Sequence, residues 1–196
     1  MTNKDISVPR ERYRTIVVDP PWAYEGFASD PTSGRGLAAE QRLAPVVEPL
    51  PYPSMPLDEI TALPVPQLAA ADCRLFLWTT SRYLPFAFSL LAHWSFVYRQ
   101  ALVWHKTGNP TPFGGSVGPN HAEFILVATR GKPPVLSRWK SSVVAAPSSR
   151  RHSAKPEAFL DLVEQVSPGP YLELFARRNR LGWDTWGNEA LEMVKL

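Results

Sequence analysis

The sequence predicts an α/β protein built on a mostly parallel sheet. Short apolar runs without polar interruption, Ile16-Val17-Val18 and Leu75-Phe76-Leu77-Trp78, have the length of strands buried on both faces. They alternate with segments of helical periodicity, which is the order expected of strands joined by crossover helices. The 196 residues fit one domain, 1–196, with room for a substantial core.

In chain order, Arg14 to Val18 reads as a buried strand and Leu57 to Leu63 as a short helix with Ser54 or Pro56 near its start. Arg74 to Thr79 reads as a strand and Tyr83 to His93 as an apolar helix. Val97 to Trp104 and Glu123 to Thr129, rich in β-branched and aromatic residues, follow as strands. Lys155 to Val166 places Phe159, Leu162, Val163 and Val166 on one helical face, with Pro156 in the first turn. Tyr171 to Phe175 is a strand after the Ser167-Pro168-Gly169-Pro170 break. Prolines and glycines gather in three stretches read as long loops, about 25–56, 107–120 and 131–155. Loops of that length in a compact domain are usually functional.

A hydrophobic content of 44% with 20% charged residues excludes a disordered chain. Charges or prolines break every apolar run well short of the roughly eighteen residues of a membrane span. The start, MTNKDISVPRER, has no apolar signal core, so a cytoplasmic rather than a secreted protein is expected. With Cys73 alone and four scattered histidines, neither a disulfide nor a metal site is expected. Charge is uneven: residues 130–180 hold ten Lys or Arg against four acids, residues 1–129 ten against eleven. A basic half on a near-neutral body suits an anionic partner, nucleic acid first among them. Arg138, Lys140, Arg150 and Arg151 are the candidate phosphate contacts.

The most informative residues are Asp19-Pro20-Pro21-Trp22, directly behind the first strand. An exocyclic amino nitrogen such as adenine N6 delocalises its lone pair into the ring and is a poor nucleophile. Two acceptors aimed at its N–H bonds favour the rehybridised, attacking nitrogen. The Asp19 carboxylate and the Pro20 carbonyl suit that task, because consecutive prolines hold the backbone at low entropy cost. Trp22 offers a flat face for an extruded base.

Four further segments follow in order: Pro51-Tyr52-Pro53-Ser54-Met55, Leu75-Phe76-Leu77-Trp78, His152-Ser153-Ala154-Lys155-Pro156-Glu157, and Leu172-Glu173-Leu174-Phe175-Ala176-Arg177 with Gly182-Trp183 and Trp186-Gly187-Asn188-Glu189 behind it. With the tetrapeptide, this ordered set resembles the DPPW-type N6-adenine methyltransferases, the family of the catalytic subunit of the messenger-RNA adenosine methyltransferase, in its bacterial or phage DNA-modifying branch. The resemblance spans about residues 16–189. It implies a Rossmann-like methyltransferase fold in permuted motif order, with S-adenosylmethionine at the carboxyl ends of the strands.

By position, the resemblance makes Asp19, Pro20, Pro21, Trp22 and Tyr52 the catalytic residues, with Tyr52 on a loop closing over the reaction centre. Asp19 also stands near the methionyl end of the cofactor, and Lys155 faces the methionyl carboxylate. Arg177 and Asn179 match ribose contacts, and Asn188 and Glu189 polar contacts near the ribose and adenine. Lys155 in a first helical turn would oppose the helix dipole, which suggests an anionic ligand beside it. Glu173 is odd in an apolar strand, while Trp78, Trp104, Trp183 and Trp186 read as core or pocket wall. The family's Arg-x-His-Asn becomes Arg177-Arg178-Asn179-Arg180 here, which loosens the ribose assignments.

These readings imply an enzyme acting on DNA as monomer or homodimer, away from membranes. RNA is the alternative substrate. The rival from another class is a silent nucleic-acid-binding partner subunit, against which the intact tetrapeptide speaks. A nucleotide phosphate-binding protein is a poor reading, because no G-x-x-x-x-G-K-[ST] exists and Gly114-Gly115-Ser116-Val117-Gly118 lacks the lysine.

Overall fold

The computed structural model describes residues 12–23, 54–108, 121–147, 155–156 and 158–187. Its elements are β1 (Tyr13–Val18), α1 (Leu57–Thr61), α2 (Val65–Leu68), β2 (Ala69–Thr79), a 3-10 turn (Ser81–Tyr83), α3 (Leu84–His93), β3 (Val97–Thr107), β4 (Ala122–Arg130), β5 (Val143–Pro147), α4 (Ala158–Val166), β6 (Tyr171–Leu174) and β7 (Trp183–Trp186). The seven strands form one sheet in the order β5-β3-β4-β2-β1-β6-β7. Six run in one direction and β4 opposes them, pairing antiparallel with β2 and β3. This is the α/β, Rossmann-like arrangement expected from the sequence.

Alternation along the central strands splits the core into two layers. Ile16, Leu75, Leu77, Leu126, Leu172 and Leu174 point to one side and meet Ala87, Leu90 and Leu91 of α3. Val17, Phe76, Trp78 and Ile125 point to the other and meet Phe159, Leu160 and Val163 of α4. Side chains of period two on a doubly covered sheet require such near-continuous apolar runs. The unbroken reading Ile16-Val17-Val18 is therefore a consequence of burial on both faces.

The structure adds three elements that the sequence reading lacked. α2 is a single turn, begun by Pro64 and Pro66 at its first positions. β7 is short, with a tryptophan at each end. β5 lies within 131–155, which was expected to be loop throughout. It is an edge strand of small residues, half-exposed on alternate positions, and among the described residues it pairs with β3 alone. Edge strands are specified mainly by their partner, so the sequence signal is weak.

α4 begins at Ala158, later than the expected Lys155, and it buries Leu160 where Leu162 was expected, leaving Leu162 half-buried. Its outward acids are tied down: Arg180 reaches Asp161 at 2.5 Å and Glu164 at 2.9 Å, and Trp183 donates to Glu164 at 2.7 Å. These bonds clamp α4 to the segment between β6 and β7. Gly187 is needed at the end of β7, because a Cβ there would lie 2.3 Å from the Ala176 carbonyl oxygen.

Candidate active site

β1 and β6 lie side by side and parallel, so Val18 and Leu174 end together at the carboxyl edge of the sheet. The chain leaves that edge at Asp19, whose N–H donates to the Leu174 carbonyl at 3.4 Å. The two prolines then turn it outward. Trp22 N–H donates to Pro20 O at 2.8 Å, and Met55 N–H to Pro21 O at 3.0 Å. The tetrapeptide is thus pinned to β6 on one side and to the chain before α1 on the other. A carbonyl oxygen has two lone pairs, so Pro20 keeps one for a substrate N–H.

Trp22 departs from expectation. It is 4% exposed, stacks on Tyr83 at 4.9 Å between ring centroids and meets Phe86 edge-on. Tyr83 in turn donates its hydroxyl hydrogen to the Ala23 carbonyl. The ring therefore belongs to the core under α3 and presents no free face to a base. Burial of an indole beside two other aromatics stabilises the turn more than an open platform would. Packed there, it adjoins the turn that carries Asp19 and Pro20.

Lys155, which precedes α4 rather than lying in its first turn, reaches the same edge from the opposite layer. Its Nζ lies 3.0 Å from an Asp19 carboxylate oxygen and 2.9 Å from one of Glu123. Glu123 takes a second cation, Lys106, at 2.6 Å. The result is a linked row, Asp19–Lys155–Glu123–Lys106, drawn from β1, the approach to α4, β4 and β3. Two tryptophans form its floor. Lys155 sits 5.1 Å above the Trp78 ring and Lys106 5.1 Å above Trp104, and the two indoles meet edge to face. Cation–π attraction of this kind strengthens where water is excluded.

The row has a definite charge state. Burial alone would raise Glu123, but Lys155 and Lys106 outweigh it and hold Glu123 below the usual carboxylate range. Asp19 goes the other way: burial raises it, Lys155 opposes and Glu123 adds to the rise. Lys155 is kept firmly protonated, because the pull of Asp19 and Glu123 exceeds the burial penalty. Glu123 and Lys106 were missed in the sequence reading. The available signal was an acid and a cation at the two ends of adjacent apolar strands, one next to Trp104.

Glu173 lies one strand away on β6. Burial first, then the charge of Asp19, lift it to about 7, with Arg178 and Arg180 pulling it down. Among the described residues its Oε2 is buried without a hydrogen-bond partner. An orphaned buried acceptor is costly and marks a place where a donor belongs. The cationic α-ammonium of a methionyl group would satisfy it, and Lys155 offers the matching charge for the α-carboxylate. The residues at this edge therefore fit the cofactor expected from the sequence.

A raised acid favours its protonated form in the fold. The cost of ionising Glu173 accordingly grows as pH rises from its unfolded value near 4.3 and is complete above about 7. Glu173→Gln should stabilise the cofactor-free protein at pH 8 by up to about 3 kcal/mol, and by almost nothing near pH 4. Thermal denaturation at the two pH values checks this, and an equal effect at both would remove the assignment.

Other expected site residues are more dispersed. Arg177 follows β6 within electrostatic reach of Asp19. Asn179 is exposed and donates its amide to Thr185 Oγ1 at 3.1 Å, which links it to β7. Arg138 and Lys140 do not join Asp19; they line a groove on the α4 face of the sheet. Tyr52, Arg150, Arg151, Asn188 and Glu189 lie outside the described residues. Among the described residues no cluster suits a metal ion, and no helix is long and apolar enough to cross a membrane.

Comparison with known proteins agrees with this arrangement. The MT-A70 family profile matches residues 13–189. The type II methyltransferase M.MunI of Mycoplasma sp is 34% identical over 189 residues, covering 93% of this chain and 79% of its own length. The N(6)-adenine-specific methyltransferase METTL4 of Mus musculus is 28% identical over 92% of the chain, and the N(6)-adenosine-methyltransferase MT-A70-like protein of Drosophila melanogaster 34% identical over 75%. The chain spans only 38% and 25% of those two animal proteins. The span of the match and its identity to a relative of similar length place this chain in the MT-A70 family of adenine N6-methyltransferases.

Proposed function

We propose that this protein transfers a methyl group from S-adenosylmethionine to N6 of adenine in DNA. The observation that carries the reading is the Asp19 carboxylate, held at the carboxyl end of β1 and 3.0 Å from Lys155. M.MunI, of whose length the chain covers 79%, is named as a type II methyltransferase, and that likeness supports DNA over RNA.

When bound, the cofactor supplies an electrophilic methyl group on a positively charged sulfur. The chain's own residues supply position and charge. Asp19 and the Pro20 carbonyl accept the two N–H bonds of the target amino group, and so aim its lone pair. Asp19 is also placed to take up the proton that the nitrogen sheds as the new C–N bond forms. Lys155 opposes the burial that would neutralise Asp19, and Glu123 with Lys106 keeps Lys155 from swinging away. Glu173 and Lys155 take the ammonium and carboxylate ends of the methionyl part, and Arg177 with Asn179 the ribose. Asn188 and Glu189 complete the ribose and adenine contacts, and Tyr52 closes over the target base, on the strength of their motifs. Base extrusion is required, because a paired adenine hides its amino group. Arg138, Lys140, Arg150 and Arg151 contact phosphates. The protein works in the cytoplasm as monomer or homodimer.

The decisive assay incubates the purified protein and cofactor with separate DNA and RNA pools, digests each to nucleosides and locates the methyl by mass spectrometry. N6-methyladenine in DNA is the expected result. Label in RNA alone would reverse the substrate, and label in neither would leave the silent-partner reading.

A further inference from the structure

Away from the row of charges at the carboxyl edge, one feature is left without a use: a groove of about 680 Å³ on the α4 face, between the β3–β4 surface and residues 131–142. Its size lies within the roughly 300–1,000 Å³ of ordinary ligand sites. Arg99, Lys132, Arg138 and Lys140 line it together with the hydroxyls of Ser141 and Ser142. No Asp or Glu is among its lining residues. The adjoining acid, Asp72, accepts the backbone N–H of Lys132 at 2.6 Å. Among the described residues Lys132, Arg138 and Lys140 form no ion pair, and Arg99 Nε donates only to the Thr129 hydroxyl, at 2.8 Å.

The wall of the groove contains a fifth cation. Arg74 is 6% exposed, yet its guanidinium meets only neutral acceptors: the carbonyls of Pro133, Pro134 and Val166 and the Ser167 hydroxyl, at 3.0–3.3 Å. These bonds staple residues 133–134 to the end of α4 and explain why the segment is ordered here. They leave the charge itself uncompensated. A buried cation under a ring of exposed ones focuses a positive potential into the groove. Trp139 anchors the other lip, its indole N–H donating to Leu162 O at 2.7 Å, so Arg138 and Lys140 flank a fixed point.

We infer that this groove holds a stretch of the nucleic-acid backbone remote from the target base, with phosphates between Arg99, Lys132, Arg138 and Lys140. The inference rests on the reading of the protein as a nucleic-acid methyltransferase. It relocates the Arg138 and Lys140 contacts from the reaction centre to the flanking duplex. Distance sets the register. Arg99 and Lys106 stand seven residues apart on β3, about 23 Å at the rise of a strand. Lys106 belongs to the row ending at Asp19, so the groove lies well back from the reaction edge and would meet duplex flanking the flipped adenine by several base pairs, at roughly 3.4 Å each.

The test compares duplexes carrying one target adenine with about four or about ten flanking base pairs on each side. Wild-type protein should bind the longer duplex about tenfold or more tightly at low salt, with a steeper salt dependence. The triple variant Lys132→Gln, Arg138→Gln, Lys140→Gln should lose that advantage, its log–log salt slope falling by about three. An unchanged slope and length preference in a folded triple variant would overturn the inference. Should the variant fail to fold, amide exchange of the wild type decides: protection across 131–142 by the long duplex but not the short one is expected, and equal or absent protection refutes it. Methylation of the short duplex by wild-type protein reports on the catalytic reading separately.

Discussion

Asp19→Asn is expected to lower kcat by at least about 10²–10³ while leaving the fold intact. The amide keeps one acceptor oxygen but loses its charge, and it turns a donor toward Lys155 or toward the substrate amino group. Lys155 retains Glu123 at 2.9 Å, so its own position survives the change. Single-turnover rates with saturating cofactor and DNA measure the loss, and circular dichroism checks the fold. Burial raises Asp19, so the acid limb of the wild-type rate profile should lie above the ordinary carboxylate range of about 3.9. Retention of more than half the wild-type rate would remove Asp19 from the chemistry.

The second large effect is expected at Lys155. Its side chain and those of Asp19 and Glu123 are all less than one-fifth exposed, so the ion pairs are poorly screened. Lys155→Met leaves two carboxylates facing each other across an apolar side chain. Removing one partner from a buried charged cluster costs about 3–5 kcal/mol. The loss has a pH signature. Without the cation the Asp19 carboxyl rises further and Glu123, left with Lys106 alone, loses the larger of the two charges holding it down, which penalises the variant as pH rises past their unfolded values. The gap in Tm between wild type and variant should therefore narrow on acidification toward pH 4. Cofactor affinity should fall by about 1.5–3 kcal/mol, and equally for S-adenosylhomocysteine, which carries the same carboxylate. A Tm gap independent of pH would contradict the charge row, and unchanged affinity in calorimetry would take Lys155 out of the cofactor site.

How far the site was legible differs residue by residue. Asp19 and Lys155 were readable because each sits in a local motif: a strand end running into two prolines, and a lysine before the proline of a helix start. Their meeting at 3.0 Å spans 136 positions of chain, which local patterning does not encode. Glu123 was hidden because it sits at the head of a strand that looks like plain core, with its two cations on β3 and on the approach to α4. Trp22 was misjudged for a related reason. An aromatic after a catalytic turn reads as a base platform, and only the approach of α3 with Tyr83 and Phe86 shows that both faces are covered.

By itself the sequence determined the fold class, the central strands and the strand end at which Asp19 stands. Continuous apolar runs admit only a doubly covered sheet, and proline pairs allow few backbone paths at a strand end. Tertiary structure alone decided what surrounds each charge. The edge strand β5 exists because β3 offers it a ladder, and Arg74 is buried because three carbonyls from distant segments converge on it. Burial and the distance between charges set whether a lysine is a solvated ornament or a buried counter-ion, and both are properties of the packed sheet rather than of the residue.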